Sequence, residues 1–228
     1  MSDIPNPAQN PWANDGETLE LYRRRCRGDV QEMTCAGQAA EIIGPKMQPG
    51  ETLLDAGCGG GYYYHSFDRR SIDVNYYGLD YTPEMIALAK QEMVKKTRLT
   101  PNRFTLGSIE NLPSQQYDNV LCFNVLTNAP HYALGLSRLL DVARKRILLR
   151  ESLGPQLTIR FTPDPYLDEG KRHIRVYHNT YPLEEVRSFM EEYGFVTSLI
   201  TDRRTGDRME MVVDIPHYWR IVLGERQN

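Results

Sequence analysis

Four glycines in five positions follow directly on an apolar run, Leu53-Leu54-Asp55-Ala56-Gly57-Cys58-Gly59-Gly60-Gly61. Glycine admits positive φ and lets a ligand approach the main chain, whereas a cluster this dense would only weaken a strand or helix. Asp80 stands 25 residues after Asp55, at the end of a second apolar run, Tyr76-Tyr77-Gly78-Leu79. An acid at the end of a second strand can accept both hydroxyls of a ribose. Loop and acid together point to an adenosine-containing ligand. A dinucleotide loop spaces its glycines G-x-G-x-x-G, so that N–H groups hold a pyrophosphate. Here Tyr62 occupies the third glycine position. Asp55 would also repel a phosphate, while suiting a cationic or amino-bearing ligand.

A second set of residues has the chemistry to handle an acceptor. His131 follows Asn128-Ala129-Pro130, after an apolar run at 117–123. There it is either a base near its ordinary pKa of about 6.5 or a helix-start residue bonded to backbone. His173 and His178 flank Ile174-Arg175-Val176-Tyr177, with Tyr181 close by. In an extended chain Arg175 and Tyr177 share one face, opposite Ile174 and Val176. His131, His178 and Tyr181 are therefore the candidate catalytic groups. Tyr22, Tyr62, His173, Arg175 and Tyr177 are the candidate substrate contacts. The histidine and carboxylate spacings match no compact metal motif, so no metal is assigned.

The elements that must position these residues alternate. Short apolar runs at 52–56, 75–79, 103–106, 117–123 and 146–150 read as strands. Helical patterns fall at about 62–67, 83–96 and 132–142, the second opened by Pro83. Such alternation predicts an α/β protein with a mostly parallel sheet covered on both faces. Residues 18–44 read as one or two helices broken at Gly28 and Gly37. Before them, 1–17 reads as a loose Pro- and Asn-rich arm in which Trp12 is an anchor or a lid. Residues 152–180 predict an extended excursion or short hairpin beside the site. A helix at 183–193 and strands at 195–200, 209–215 and 217–223 complete the chain. The resulting division is an N-terminal arm and helical cap over 1–45, and one ligand-binding domain over 46–228.

Composition narrows the class. The 228 residues are 40% hydrophobic and 25% charged, with a formal net charge of −3. That balance fits a globular chain and disfavours a nucleic-acid partner. No run approaches the ~20 apolar residues of a membrane helix, and the polar N-terminus does not read as a secretory signal. Cys26, Cys35, Cys58 and Cys122 form no C-x-x-C pair. A reduced, cytoplasmic protein is the expectation.

The segment Asp55-Ala56-Gly57-Cys58-Gly59-Gly60-Gly61 resembles the D/E-x-G-x-G-x-G motif of class I S-adenosylmethionine-dependent methyltransferases. The resemblance continues in order through Tyr77 to Asp80, Thr82 to Ile86, Phe104 to Pro113, Tyr117 onward and Leu183 to Phe195, covering roughly 50–200. It implies a Rossmann-like, seven-stranded, mostly parallel sheet with helices on both faces and an N-terminal helical extension. It implies S-adenosylmethionine as cofactor. Gly57, Gly59 and Gly61 would pass under it, Asp55 would hold its amino group, and Asp80, with Tyr81 beside it, the ribose. Ser108 and Ile109 would flank adenine, and Asn124 and Val125 the methionine part. Many relatives carry Asp where Ser108 stands, which leaves Glu110 as the alternative adenine contact. The function implied is methyl transfer to an oxygen or nitrogen of a small-molecule metabolite by a monomer or homodimer. RNA or protein methylation and a non-catalytic cofactor-binding protein are the alternatives.

Overall fold

The structure is a computed structural model that describes residues 10–13 and 16–227. The expected loose arm falls largely on residues 1–9, Asn14 and Asp15, outside those described. Helices α1 (Gly16–Arg27) and α2 (Thr34–Ile43) precede β1 (Thr52–Ala56), α3 (Tyr64–Asp68) and β2 (Asn75–Asp80). Then come α4 (Pro83–Leu88), a π-helical turn (Ala89–Met93), α5 (Val94–Lys96), β3 (Phe104–Leu106) and β4 (Tyr117–Phe123). The chain continues through α6 (Tyr132–Val142), β5 (Ala143–Gly154), the hairpin β6 (Phe161–Pro163) and β7 (Arg175–Tyr177), and β8 (Tyr181–Pro182). It ends with α7 (Leu183–Glu192), β9 (Phe195–Ile200), the hairpin β10 (Glu210–Val212) and β11 (Ile215–His217), and β12 (Trp219–Arg226).

The main sheet has the order β3-β2-β1-β4-β5-β12-β9, with β8 added beside the end of β5. The first five strands are parallel, and β12 runs antiparallel between β5 and β9. This is the mostly parallel sheet that the alternating pattern predicted, in the Rossmann-like form that the resemblance implied. β1 is nearly continuously buried, as expected of a strand with helices over both faces. One apolar layer gathers α2, α3 and the start of α4 around Ile43, Phe67 and Tyr76. The other gathers α6 and α7 around Leu136, Leu140 and Met190. Strand order reverses between β1 and β4, and open α/β sheets bind ligands at that point, outside the carboxyl ends of the strands.

Punctuation residues act largely as their chemistry dictates. Gly28, at φ +75°, ends α1. Gly194, at φ +82°, ends the α7 segment. Gly37 does not break a helix: α2 runs through it. A Cβ there would meet Glu32 Oε2 at 2.8 Å and Arg70 Nη2 at 3.0 Å, so this glycine admits an ion pair against the helix. α2 is also not part of a detachable cap. Cys35, Ala36, Ala39, Ala40 and Ile43 are built into the core, and the described residues of the expected cap that border the site are Pro11, Trp12, Tyr22, Arg25 and Met33. β5 runs further than 146–150, because Glu151 and Ser152 are buried with hydrogen-bond partners. The 209–223 region forms a hairpin before the last strand, with His217 at the hairpin's end.

The sheet's far half is pinned by a buried ion pair between Arg150 Nε and Asp202 Oδ2, with side chains 2% and 0% exposed. Trp219 lies against the same guanidinium, 4.9 Å from its ring centroid. Removing one partner leaves a buried charge uncompensated. Asp202→Ala is therefore expected to lower unfolding free energy by about 3–5 kcal/mol, read as a fall in the urea midpoint at unchanged m-value.

Candidate active site

β1 delivers its chain into the glycine loop at the switch point. Gly57 and Cys58 N–H both donate to Leu79 O of β2, at 2.7 and 3.0 Å. The loop turns with Gly57 at φ +77° and Gly59 at φ +54°. A Cβ at Gly57 would lie 2.2 Å from Val125 Cγ2, and one at Gly59 would lie 2.5 Å from Tyr22 Cε1. Both positions need glycine for conformation and for space. Asp80 then fastens the loop: Oδ2 accepts from Gly59 N–H and Oδ1 from Thr82 N–H, each at 2.8 Å. Burial raises its pKa against those hydrogen bonds. Asp55 is also buried. It accepts from Tyr76 O–H at 2.5 Å, and burial pushes its pKa up to about 7, with Asp80 adding to the rise.

These groups face a cavity of about 860 Å³, within the size range of small-molecule sites. Gly57, Gly59, Asp55, Asp80 and Tyr81 form one wall. Ser108, Ile109 and Glu110 form the next, where Ser108 Oγ accepts from Glu110 N–H at 3.2 Å and so starts a turn of 3₁₀-helix. Asn124 and Val125 form the floor, and Trp12, Tyr22 and Arg25 lie over the top. Tyr22 meets Tyr62 edge-on at 5.4 Å, with the Arg25 guanidinium 5.2 Å from both ring centroids. Of the tyrosine run, Tyr62 borders this cavity, Tyr64 is buried in the core and Tyr63 Oη contacts Cys35 Sγ at 3.1 Å.

The floor depends on residues that the sequence reading missed. Glu151 is fully buried. Its Oε1 accepts from Val125 N–H, and Oε2 from the N–H and hydroxyl of Thr127, at 2.8–2.9 Å. Burial raises its pKa. Asn124 takes φ +58°, and its Oδ1 accepts from Arg150 Nη1 at 2.5 Å. The available signal was the pair Arg150-Glu151 closing the apolar strand Ile147-Leu148-Leu149, since charges at a core strand's end need built partners.

All five candidate substrate contacts border the main cavity: Tyr22 and Tyr62 from the covered side, His173, Arg175 and Tyr177 from the β6–β7 hairpin. Ile174 and Val176 point inward, as the alternation required. The candidate catalytic groups divide. His131 caps α6: its Nδ1 accepts from Ala133 N–H at 3.1 Å, its ring is exposed, and it borders neither cavity. Tyr181 is buried, accepts from Asn179 Nδ2 and spends its proton on the carbonyls of Leu126 and Ala129, so it is a strut behind the floor. His178 opens into a second, smaller chamber of about 310 Å³ beside the first, together with His217 and Trp219.

Residues 47–152 match the family model described as a methyltransferase domain. The malonyl-[acyl-carrier protein] O-methyltransferase of Serratia marcescens is 29% identical over 160 residues, 69% of this chain and 58% of that protein. The mitochondrial ubiquinone biosynthesis O-methyltransferase of Candida albicans is 33% identical over 82 residues, 35% of this chain and 25% of that one. The chain thus spans less than two thirds of the length of either. Among solved structures, the magnesium protoporphyrin IX methyltransferase of Synechocystis PCC 6803 with bound S-adenosylmethionine shares the fold, with a TM-score of 0.60 at 20% identity over the whole of both chains. Residues 47–152 are thus similar to a methyltransferase domain, and the glycine loop at the end of β1 and the strand order belong to the fold shared with the S-adenosylmethionine-bound structure.

Asp55 supplies a test of this geometry. Its folded-state pKa lies above the ordinary 3.8, so between the two values the folded protein holds a proton that the unfolded chain has lost. Stability therefore falls as pH rises through that window. Asp55→Asn removes the penalty. Its unfolding free energy should match wild type near pH 4 and gain on it by about 1.4 kcal/mol per pH unit up to about pH 7, measured by urea titration across pH.

Proposed function

We propose that the protein transfers the methyl group of S-adenosylmethionine to an oxygen or nitrogen of a small molecule. The observation that carries this reading is the pair of buried carboxylates, Asp55 and Asp80, on either side of a glycine loop at the switch point of the sheet. Asp55 lies in a wall with no cation bonded to it and is held near neutrality in pKa, which suits an incoming ammonium group. The loop leaves no space for a Cβ at Gly57 or Gly59, so its main chain is what a ligand meets. These features fit the cofactor. Asp55 would hold its ammonium, Asp80 and Tyr81 its ribose, Ser108, Ile109 and Glu110 its adenine, and Asn124 and Val125 its methionine part.

The cofactor supplies a methyl group already activated by a sulfonium, whose departure leaves a neutral thioether. The protein's work is then positioning and exclusion of water. We assign the cover to residues 10–13 and 16–27: Asn10 Nδ2 donates to Thr82 Oγ1 at 3.2 Å, Trp12 lies over the cavity, and Tyr22 rests on Gly59. Arg175 donates to Phe161 O and lies on its ring, so its charge is held at the opposite rim by the hairpin itself. A small-molecule acceptor suits two adjoining cavities of this size, and both curated relatives named above are O-methyltransferases.

Calorimetry with S-adenosylmethionine and S-adenosylhomocysteine tests the reading. Micromolar binding of both is expected, weakened about 10–100-fold in Asp80→Ala, as for lost hydrogen bonds to a charged group. At about pH 6, an ammonium arriving at Asp55 should displace its proton. Heats in buffers of different ionisation enthalpy should then show release approaching one proton, absent in Asp55→Asn. Failure of wild type to bind either compound overturns the reading. Tight binding with no turnover of any small-molecule pool returns the non-catalytic alternative.

A further inference from the structure

The smaller chamber adjoins the main cavity across Asn124, Asn128 and Val176, and Pro11–Trp12 extends over both. His178 and His217, 7% and 1% exposed, are in its wall. Neither ring nitrogen of His217, nor Nε2 of His178, has a hydrogen-bond partner among the described residues. Buried polar groups are nearly always paired, and three unpaired nitrogens on two rings of one chamber's wall call for a polar partner. The rings stand edge to face at 5.9 Å, and His217 stacks on Trp219 at 5.0 Å with the planes 6° apart. Burial holds both imidazoles neutral. His217 falls to about 4, with His178 lowering it further and Glu210 opposing, while the fall at His178 is opposed by Asp164.

The rest of the chamber defines what would enter. Leu167, Val176, Val212 and Val213 make it largely apolar. Among its described lining residues there is no lysine or arginine, and Asp164 is the one charged side chain. A carboxylate or phosphate would find no counter-charge and would face Asp164. A hydroxyl would satisfy the orphaned nitrogens, donating to one and accepting from another.

We propose that this chamber takes the methyl acceptor, an uncharged small molecule with an apolar body and a phenolic or enolic hydroxyl, held between His178 and His217. The proposal rests on the methyl-transfer reading above and narrows it to oxygen. As the acceptor oxygen forms its bond to the methyl carbon, the carbon–sulfur bond breaks with its electron pair going to sulfur. The hydroxyl proton passes to Nε2 of His178, and the imidazolium gives it up once the product has left. His217 holds the oxygen in line.

The chain's two tryptophans, Trp12 and Trp219, both line the chamber, so intrinsic fluorescence reports its occupancy. The probes are 4-nitrophenol, its isostere 4-nitrotoluene and the anion 4-nitrobenzoate, each titrated, at a mildly acidic pH that keeps the phenol un-ionised and the benzoate ionised, into protein saturated with S-adenosylhomocysteine. Saturable quenching by 4-nitrophenol is expected, at least about tenfold tighter than by either analogue, as for a site built to bond a hydroxyl. His178→Gln and His217→Gln should each weaken it about tenfold or more while the calorimetric affinity for S-adenosylhomocysteine stays at the wild-type value. No discrimination among the three probes in wild type overturns the proposal without recourse to any variant. So does quenching by 4-nitrophenol that neither substitution changes. If instead wild type fails to bind S-adenosylhomocysteine while histidine-dependent quenching persists, the methyl-transfer reading falls and the hydroxyl site stands.

Discussion

The site rests on one buried carboxylate that no sequence motif announces. Glu151 takes the N–H groups of Val125 and Thr127 and the hydroxyl of Thr127, all within 2.9 Å. Without it, the chain leaving β4 would have buried N–H donors and no acceptor, in a layer from which water is shut out. Those bonds fix Asn124 and Val125 as the floor of the main cavity. They also aim Asn124 and Asn128 at the wall shared by both chambers. Neighbouring Arg150 serves the same floor from the other side, through Asn124 Oδ1, while its own charge is answered by Asp202. Charges buried this deeply give little net stability, but they permit one arrangement of the backbone around them.

The carboxylates on the other side of the floor are built differently. Asp80 is bonded on both oxygens by loop N–H groups, a preformed clasp. Asp55 has only the Tyr76 hydroxyl and pays a desolvation cost that appears as its raised pKa. One acid therefore shapes the loop, and the other is left responsive to a positive charge. That asymmetry arises from position alone. Asp80 ends its strand where N–H groups emerge, whereas Asp55 sits inside β1 with its backbone consumed by the sheet.

Where neighbouring residues carry a function together, the sequence showed it. The glycine loop, Asp80 and the alternation of strands and helices are local features, and strand order follows from the short right-handed crossovers between them. The candidate substrate contacts from 173–177 were legible too, because period-2 alternation put Arg175 and Tyr177 on one face. What failed was anything decided by a partner far along the chain. His131 and Tyr181 have the right chemistry, but a helix start claims one and two backbone carbonyls claim the other. His217 lies 39 residues beyond His178 and meets it only after a strand, a helix and a hairpin have intervened. Gly37 looked like a helix break because its reason, the Arg70–Glu32 pair, lies outside its own segment.

The antiparallel course of β12 has a consequence for how this fold can diversify. Because β12 runs against its neighbours, its beginning rather than its end meets the carboxyl edge of the sheet, where the cavities lie. The β10–β11 hairpin just before it is thereby delivered to the smaller chamber, opposite the β6–β7 hairpin that follows β5. The walls nearest the glycine loop come from residues before 128, and the two hairpins come after 154. Each hairpin closes on itself as a separate two-stranded sheet. Substitutions or changes of length there can reshape the smaller chamber while the central strands and loop keep their bonds. The fold thus sets a half bonded into the central strands and a half made of separable hairpins on one edge of a single sheet.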